Sequence, residues 1–108
     1  MPQVVIDVAG PVVAGWAADL DAPSGTGIDT LHVWAYPRGG GDPIFLGATA
    51  YGGVRPDVAA VYGEQFRKSG YGLAVRGLDP GSYDLAVFAW SLAKQDFLPA
   101  KVVPIEIK

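Results

Sequence analysis

Cysteine and asparagine are absent from the 108 residues, and histidine occurs once, as His32. Without cysteine there is no disulfide staple, no thiolate metal site and no thiol nucleophile. Without asparagine there is no N-glycosylation acceptor. One histidine cannot make a His-Glu-x-x-His zinc helix, and no Gly-x-Ser-x-Gly turn occurs, so the common hydrolytic constellations are missing. Basic residues are also scarce. Eight Lys and Arg stand against eleven Asp and Glu, a net charge of −3, which excludes the clustered cations of a nucleic-acid footprint. No apolar run approaches the ~20 residues of a membrane-spanning helix. Met1-Pro2 leads straight into an alternating segment, so no signal peptide is expected in this chain.

What is present suits strands. Half the residues are hydrophobic and 18% are charged, the balance of a folded domain and not of a solvated tail. At this length one core suffices, and residues 1–108 read as a single domain. Gln3 to Val8 puts Val4, Ile6 and Val8 on one face, a first strand. In Pro11 to Asp19, the second, Val13, Gly15 and Ala17 alternate with Val12, Ala14, Trp16 and Ala18. Neither set is polar, so both faces of this strand are expected to be covered. Asp29 to Pro37 is the third, with Leu31, Val33 and Ala35 opposite Thr30, His32, Trp34 and Tyr36. A glycine loop at Arg38–Pro43 returns the chain antiparallel through Ile44–Tyr51, the fourth. Tyr71, Leu73 and Val75 make the fifth, and Lys101 to Ile107 the seventh, where Pro104 marks an edge or a bulge.

The sixth strand carries the strongest signal. Leu78-Asp79-Pro80-Gly81-Ser82-Tyr83 is a Pro-Gly turn feeding a long alternation of Tyr83, Leu85, Val87 and Ala89 against Asp84, Ala86, Phe88 and Trp90. The Leu-x-Pro-Gly-x-Tyr spacing resembles the tyrosine corner of immunoglobulin-like and fibronectin-type sandwiches, which implies a structural role for Tyr83. The expected fold class is therefore all-β: a seven-stranded immunoglobulin/fibronectin-III-like β-sandwich. Strands one, two and five should share one sheet; three, four, six and seven the other.

Between the fourth and fifth strands the period changes. Pro56 suits a first helical position, Asp57 suits the positive helix end, and Gly63 can stop the helix. Arg55 to Tyr62 reads as a short helix with Val58, Val61 and Tyr62 on one face. A helix of two turns must dock to persist. The expected dock is the outer sheet face bearing Trp34, Tyr36 and Phe88.

Several further motifs occur in order: Gly15-Trp16-Ala17-x-Asp19, Gly25-Thr26-Gly27-Ile28-Asp29, His32-Val33-Trp34-Ala35-Tyr36-Pro37, Tyr51-Gly52-Gly53-x-Arg55-Pro56-Asp57-Val58 and Ser69-Gly70-Tyr71. Together they resemble a bacterial Ig-like domain of secreted and cell-surface proteins. The resemblance runs from about the second strand to the sixth, and the chain departs from it at both ends. It implies an extracellular or cell-surface location and a non-catalytic structural or spacer module, with no cofactor, whose partners are other domains of a larger surface protein or a glycan. The departures also fit an engineered stable scaffold of the same fold, and the missing asparagine fits either such a redesign or a GC-rich bacterial genome.

Three groups of residues are site candidates. His32, Trp34 and Tyr36 on strand three, with Phe88 and Trp90 on strand six, make an aromatic stripe that could bind carbohydrate or protein. The alternative is that the helical connection buries the stripe as a second small core. Asp19, Asp21 and Asp29 bracket a Gly/Ser/Thr-rich loop and are weak calcium candidates, short of the six or more oxygens that calcium takes. Arg55 and Asp57 are expected to anchor the helix start, not to recognise a ligand. The domain is expected to be a monomer, not an enzyme, with neither nucleic-acid binding nor membrane insertion.

Overall fold

Alternating segments become strands almost to the residue. The computed structural model describes residues 1–108, with β1 (Pro2–Val8), β2 (Val12–Asp19), β3 (Ile28–Pro37), β4 (Ile44–Ala48) and β5 (Ala50–Gly53). A helix α1 (Pro56–Tyr62) and a 3₁₀ turn (Glu64–Phe66) follow, then β6 (Gly70–Ala74), β7 (Gly81–Ser91), β8 (Asp96–Phe97) and β9 (Lys101–Ile107). All pairings are antiparallel. One sheet has the order β1-β2-β6-β5; the other runs β4-β3-β7, with β8 and β9 both on the far side of β7. The result is an all-β sandwich in which the first, second and fifth expected strands do share a sheet.

Between the sheets lies one apolar core. Val13 and Ala17 of β2 and Tyr71 of β6 meet Leu31, Val33 and Ala35 of β3 and Leu85, Val87 and Ala89 of β7. Each fully buried Leu or Val contributes about 1.5–3 kcal/mol, which is why the inward set of each alternation is unmixed with polar residues. Gly15 shares this inward face because nothing larger fits: a Cβ there would overlap the Val5 carbonyl and come 3.0 Å from the Tyr71 hydroxyl. That hydroxyl itself donates to the Val5 carbonyl at 2.9 Å.

The strand count is nine, not seven, for two reasons. The expected fourth strand breaks at Thr49: Ile44–Ala48 pairs with β3, and Ala50–Gly53 pairs with β6 in the opposite sheet. A bulge between the Val33 and Trp34 pairings and a positive φ of 133° at Gly47 turn the chain across. The second addition is β8, two residues of what reads as loop, which pair with Trp90 and Ser91 at the end of β7.

This crossing also overturns the expected helix dock. Because β5 has already joined the β2-β6 sheet, the connection that follows lies over that sheet's outer face. Val58 is 3% exposed and Phe66 4%, and they pack with Trp16 and Ala18 of β2, flanked by Val5 and Leu20. The Tyr62 ring stands 5.4 Å from that of Trp16. Val61, expected to face inward, is 72% exposed. At about 100° per residue, Val58, Ala59 and Tyr62 cover one side of the helix and Val61 falls beyond its edge. The helix starts on Pro56 and ends where Gly63, at φ 119°, donates to the Ala59 carbonyl. The start of the helix is tied to the end of the connection by Arg55 N–H to the Arg67 carbonyl (2.6 Å), and that end is tied to β2 by Ala17 N–H to the Ser69 carbonyl (3.0 Å).

Candidate ligand-binding face

With the helix on the other sheet, no helix or long loop crosses the outer face of β4-β3-β7. Strand alternation aims Thr30, His32, Trp34 and Tyr36 of β3 outward beside Asp84, Ala86, Phe88 and Trp90 of β7. Register then sets the neighbours: His32 faces Phe88, Trp34 faces Ala86, and Tyr36 faces Asp84. Two further rings join, one from β4 and one from β8, the latter expected to be loop. Phe45 of β4 pairs opposite Trp34, and Phe97 of β8 opposite Trp90.

The rings form one contiguous group. His32 stands 5.2 Å from Phe45 and 4.8 Å from Phe97, between ring centroids, while Trp34 lies 5.0 Å from Phe45. Phe97 also meets Trp90 edge-on at 5.0 Å and Phe88 at 6.4 Å. These separations and tilts are those that aromatic quadrupoles prefer, so the cluster holds its own shape. His32, Trp34, Phe88, Trp90 and Phe97 are half-buried and Phe45 is 47% exposed. His32, Trp34, Phe88 and Phe97 line a shallow hollow of about 330 Å³. None of His32, Trp34 and Trp90 uses a ring nitrogen in a hydrogen bond within the protein. Tyr36 shares the face but touches no other ring; it sits toward the end where Arg38 and Asp84 pair at 3.0 Å.

The other candidates resolve differently. Asp19 and Asp21 come together, Asp19 Oδ1 accepting the Asp21 N–H at 3.0 Å and both carboxylates meeting the Met1 amino group. Asp29 lies apart on β3, and no three His, Asp or Glu side chains gather where they could hold a metal ion. Arg55 grips Asp57 with two hydrogen bonds, 2.9 Å from Nε and 2.7 Å from Nη2, and reaches Asp7 of β1 at 2.9 Å through Nη1. The Arg55 bonds hold the Asp57 carboxyl down at about 2, and those carboxylates raise Arg55 in turn. This cluster ties the helix start to β1 and edges a second hollow of about 440 Å³, lined by Val8, Val54, Tyr51, Tyr71 and several Gly and Ala residues. The Tyr83 hydroxyl donates to the Asp79 carbonyl, four residues upstream, at 2.6 Å.

Sequence reading missed Phe45, Phe97 and Asp7. A Phe between Ile44 and Leu46 carries an outward signal only if the bulge is known. The signal for Phe97 was an aromatic at the start of an apolar Phe-Leu-Pro run in an otherwise polar loop. Asp7 had none, since its partner is 48 positions away.

Comparison with protein-family models, with curated proteins and with solved structures returned no match.

Proposed function

We propose that the chain is a non-catalytic, Ig-like binding module of an extracellular or cell-surface protein, and that the aromatic face of β4-β3-β7-β8 is its recognition surface. The observation that carries this reading is the position of the helical connection. The chain covers the outer face of one sheet with Val58 and Phe66 and leaves the aromatic outer face of the other without such a cover. Phe45 is exposed and the other five rings are half-buried, packed chiefly on one another, and a contiguous apolar patch left at a surface marks a contact site. A spacer alone would have no use for six clustered rings left partly open at a sheet surface. The Ig-like assignment is supported by the Tyr83 to Asp79 bond, the geometry of a tyrosine corner. The non-catalytic assignment is supported by the surroundings of His32, which are the Phe45 and Phe97 rings and not a carboxylate or hydroxyl partner.

Acrylamide quenching tests the reading. In a Trp16→Phe background only Trp34 and Trp90 remain to emit, and both should be quenched readily in a sample shown to be monomeric by light scattering. If both are shielded, the face is closed in solution and cannot be the recognition surface.

A further inference from the structure

We infer that the aromatic face takes a neutral sugar, a pyranose ring of an uncharged glycan, seated over the hollow between Trp34 and Phe97. This rests on the face being the recognition surface, and it adds what that surface recognises.

Three properties of the hollow select the ligand. Its walls are rings: Trp34, Phe88 and Phe97 offer apolar faces against which the C–H side of a pyranose can pack, burying area on a flat partner without a deep cleft. Its polar groups are nitrogens in surplus. The indole N–H of Trp34 has no acceptor in the protein, nor has that of Trp90 just outside the hollow, and the His32 imidazole stands between Phe45 and Phe97 with both ring nitrogens unpaired in the protein. A purely apolar protein patch would cover these groups without satisfying them, at a cost in desolvation. A sugar brings hydroxyl and ring oxygens that accept such bonds. The third property is charge. No Asp, Glu, Lys or Arg lines the hollow. Of the charged residues on this sheet, Arg38, Asp84 and Glu106 stand at the far end, where Arg38 and Asp84 neutralise each other at 3.0 Å, while the exposed carboxylates Asp29 and Asp96 flank the Trp90 end. An anionic glycan would find no counter-charge there, whereas a neutral one needs none. At about 330 Å³ the hollow lies at the lower end of small-molecule sites, roughly 300–1,000 Å³, the scale of one sugar unit and not of a long groove.

The test uses the intact chain. Neutral hexaoses of glucose, mannose, xylose and N-acetylglucosamine, with a hexauronate as the anionic comparator, are titrated by calorimetry. Indole N–H signals of Trp16, Trp34 and Trp90 are followed in parallel by ¹H–¹⁵N NMR. Saturable binding of at least one neutral hexaose is expected, shifting the Trp34 and Trp90 signals and leaving Trp16 in place. Trp34→Ala and His32→Ala should each weaken it about tenfold, the size of effect of truncating a central contact. Phe45→Ala, at a half-exposed ring, provides a milder variant if Trp34→Ala folds poorly. Val61→Glu, on the opposite side of the molecule, should bind as the parent does. Failure of every neutral hexaose, equal or tighter binding of the uronate, or shifts confined to Trp16 would overturn the neutral-sugar assignment. With Trp34 and Trp90 still quenchable, the recognition face would stand and a protein partner would replace the sugar. With both shielded, the face and the sugar fall together.

Discussion

Truncating Phe66 to alanine separates the observed placement of the helical connection from the one that periodicity alone suggests. Phe66 is 4% exposed and seals Trp16 and Val58 beneath the 3₁₀ turn. Phe→Ala in a core costs about 3–5 kcal/mol, depending on how far the site can collapse. The turn sits at the surface of the sandwich, where its neighbours can settle inward, so a value near 3 kcal/mol is expected. For a domain of this size, each kcal/mol moves the Tm by roughly 4–8 °C, giving a fall of about 12–24 °C. Urea denaturation gives the free energy, and acrylamide quenching of a Trp34→Phe/Trp90→Phe background reports Trp16 alone. Phe66→Ala should lower the urea midpoint and open Trp16. Val61→Ala should change the midpoint by no more than about 0.5 kcal/mol equivalent, as exposed substitutions do. If Val61→Ala proves as costly as Phe66→Ala, or if Phe66→Ala leaves the midpoint and the quenching unchanged, the dock over Trp16 is wrong.

Gly15→Ala should be among the most destabilising single-methyl additions in the chain, because the new Cβ meets backbone at Val5 and not a movable side chain. A loss of about 1–3 kcal/mol in the urea midpoint is expected, and an unchanged midpoint would refute the close approach of β1 and β2. Alkaline pH should unfold the domain through its buried phenols. Burial pushes Tyr51 up to about 12 and raises Tyr71 as well, against an ordinary value of 10. A raised folded-state pKa means their contribution is complete below about pH 10 and is lost as pH climbs toward 12 and beyond. Absorbance at 295 nm should show a late-ionising class that titrates together with loss of circular dichroism. A single class near pH 10 with the fold intact would show these phenols to be open.

Much of the fold was legible because alternation and turn chemistry are local. The stretch from Leu78 to Trp90 carries its own turn, corner and facing, and β7 follows it closely. The second strand also advertised two covered faces, since Trp16 and Ala18 are as apolar as Val13 and Ala17. That was the mark of the helix's true position. The stripe at Trp34 and Phe88 is the larger apolar surface, and periodicity alone does not say which outer face a short helix covers. The obstacle was Thr49, because nothing in Ile44–Tyr51 distinguishes one long strand from two short ones in different sheets. The break is decided by which partner each half finds, and those partners, β3 and β6, lie far from each other in the chain. The same blindness hid half of the candidate face. His32, Trp34, Phe88 and Trp90 follow from alternation alone, whereas Phe45 needs the bulge and Phe97 needs the pairing of β8.

The crossing at Thr49 also bears on how the domain comes apart. Ile44–Ala48 is laddered to β3 and Ala50–Gly53 to β6, with one residue between them. Thr49 itself donates to the Leu31 carbonyl at 2.8 Å, so the hinge is fastened as well. Prising the two layers apart must therefore break one ladder or the other at once. The two layers are thereby coupled, and hydrogen exchange in β3 and β6 is expected to follow a common opening event. A single residue inserted beside Thr49 would slip one ladder and turn its side chains to the opposite face. The glycine loop at Arg38–Pro43 can lengthen freely, at a cost that grows only slowly with length. Ten residues spanning both sheets thus couple the two layers of the sandwich.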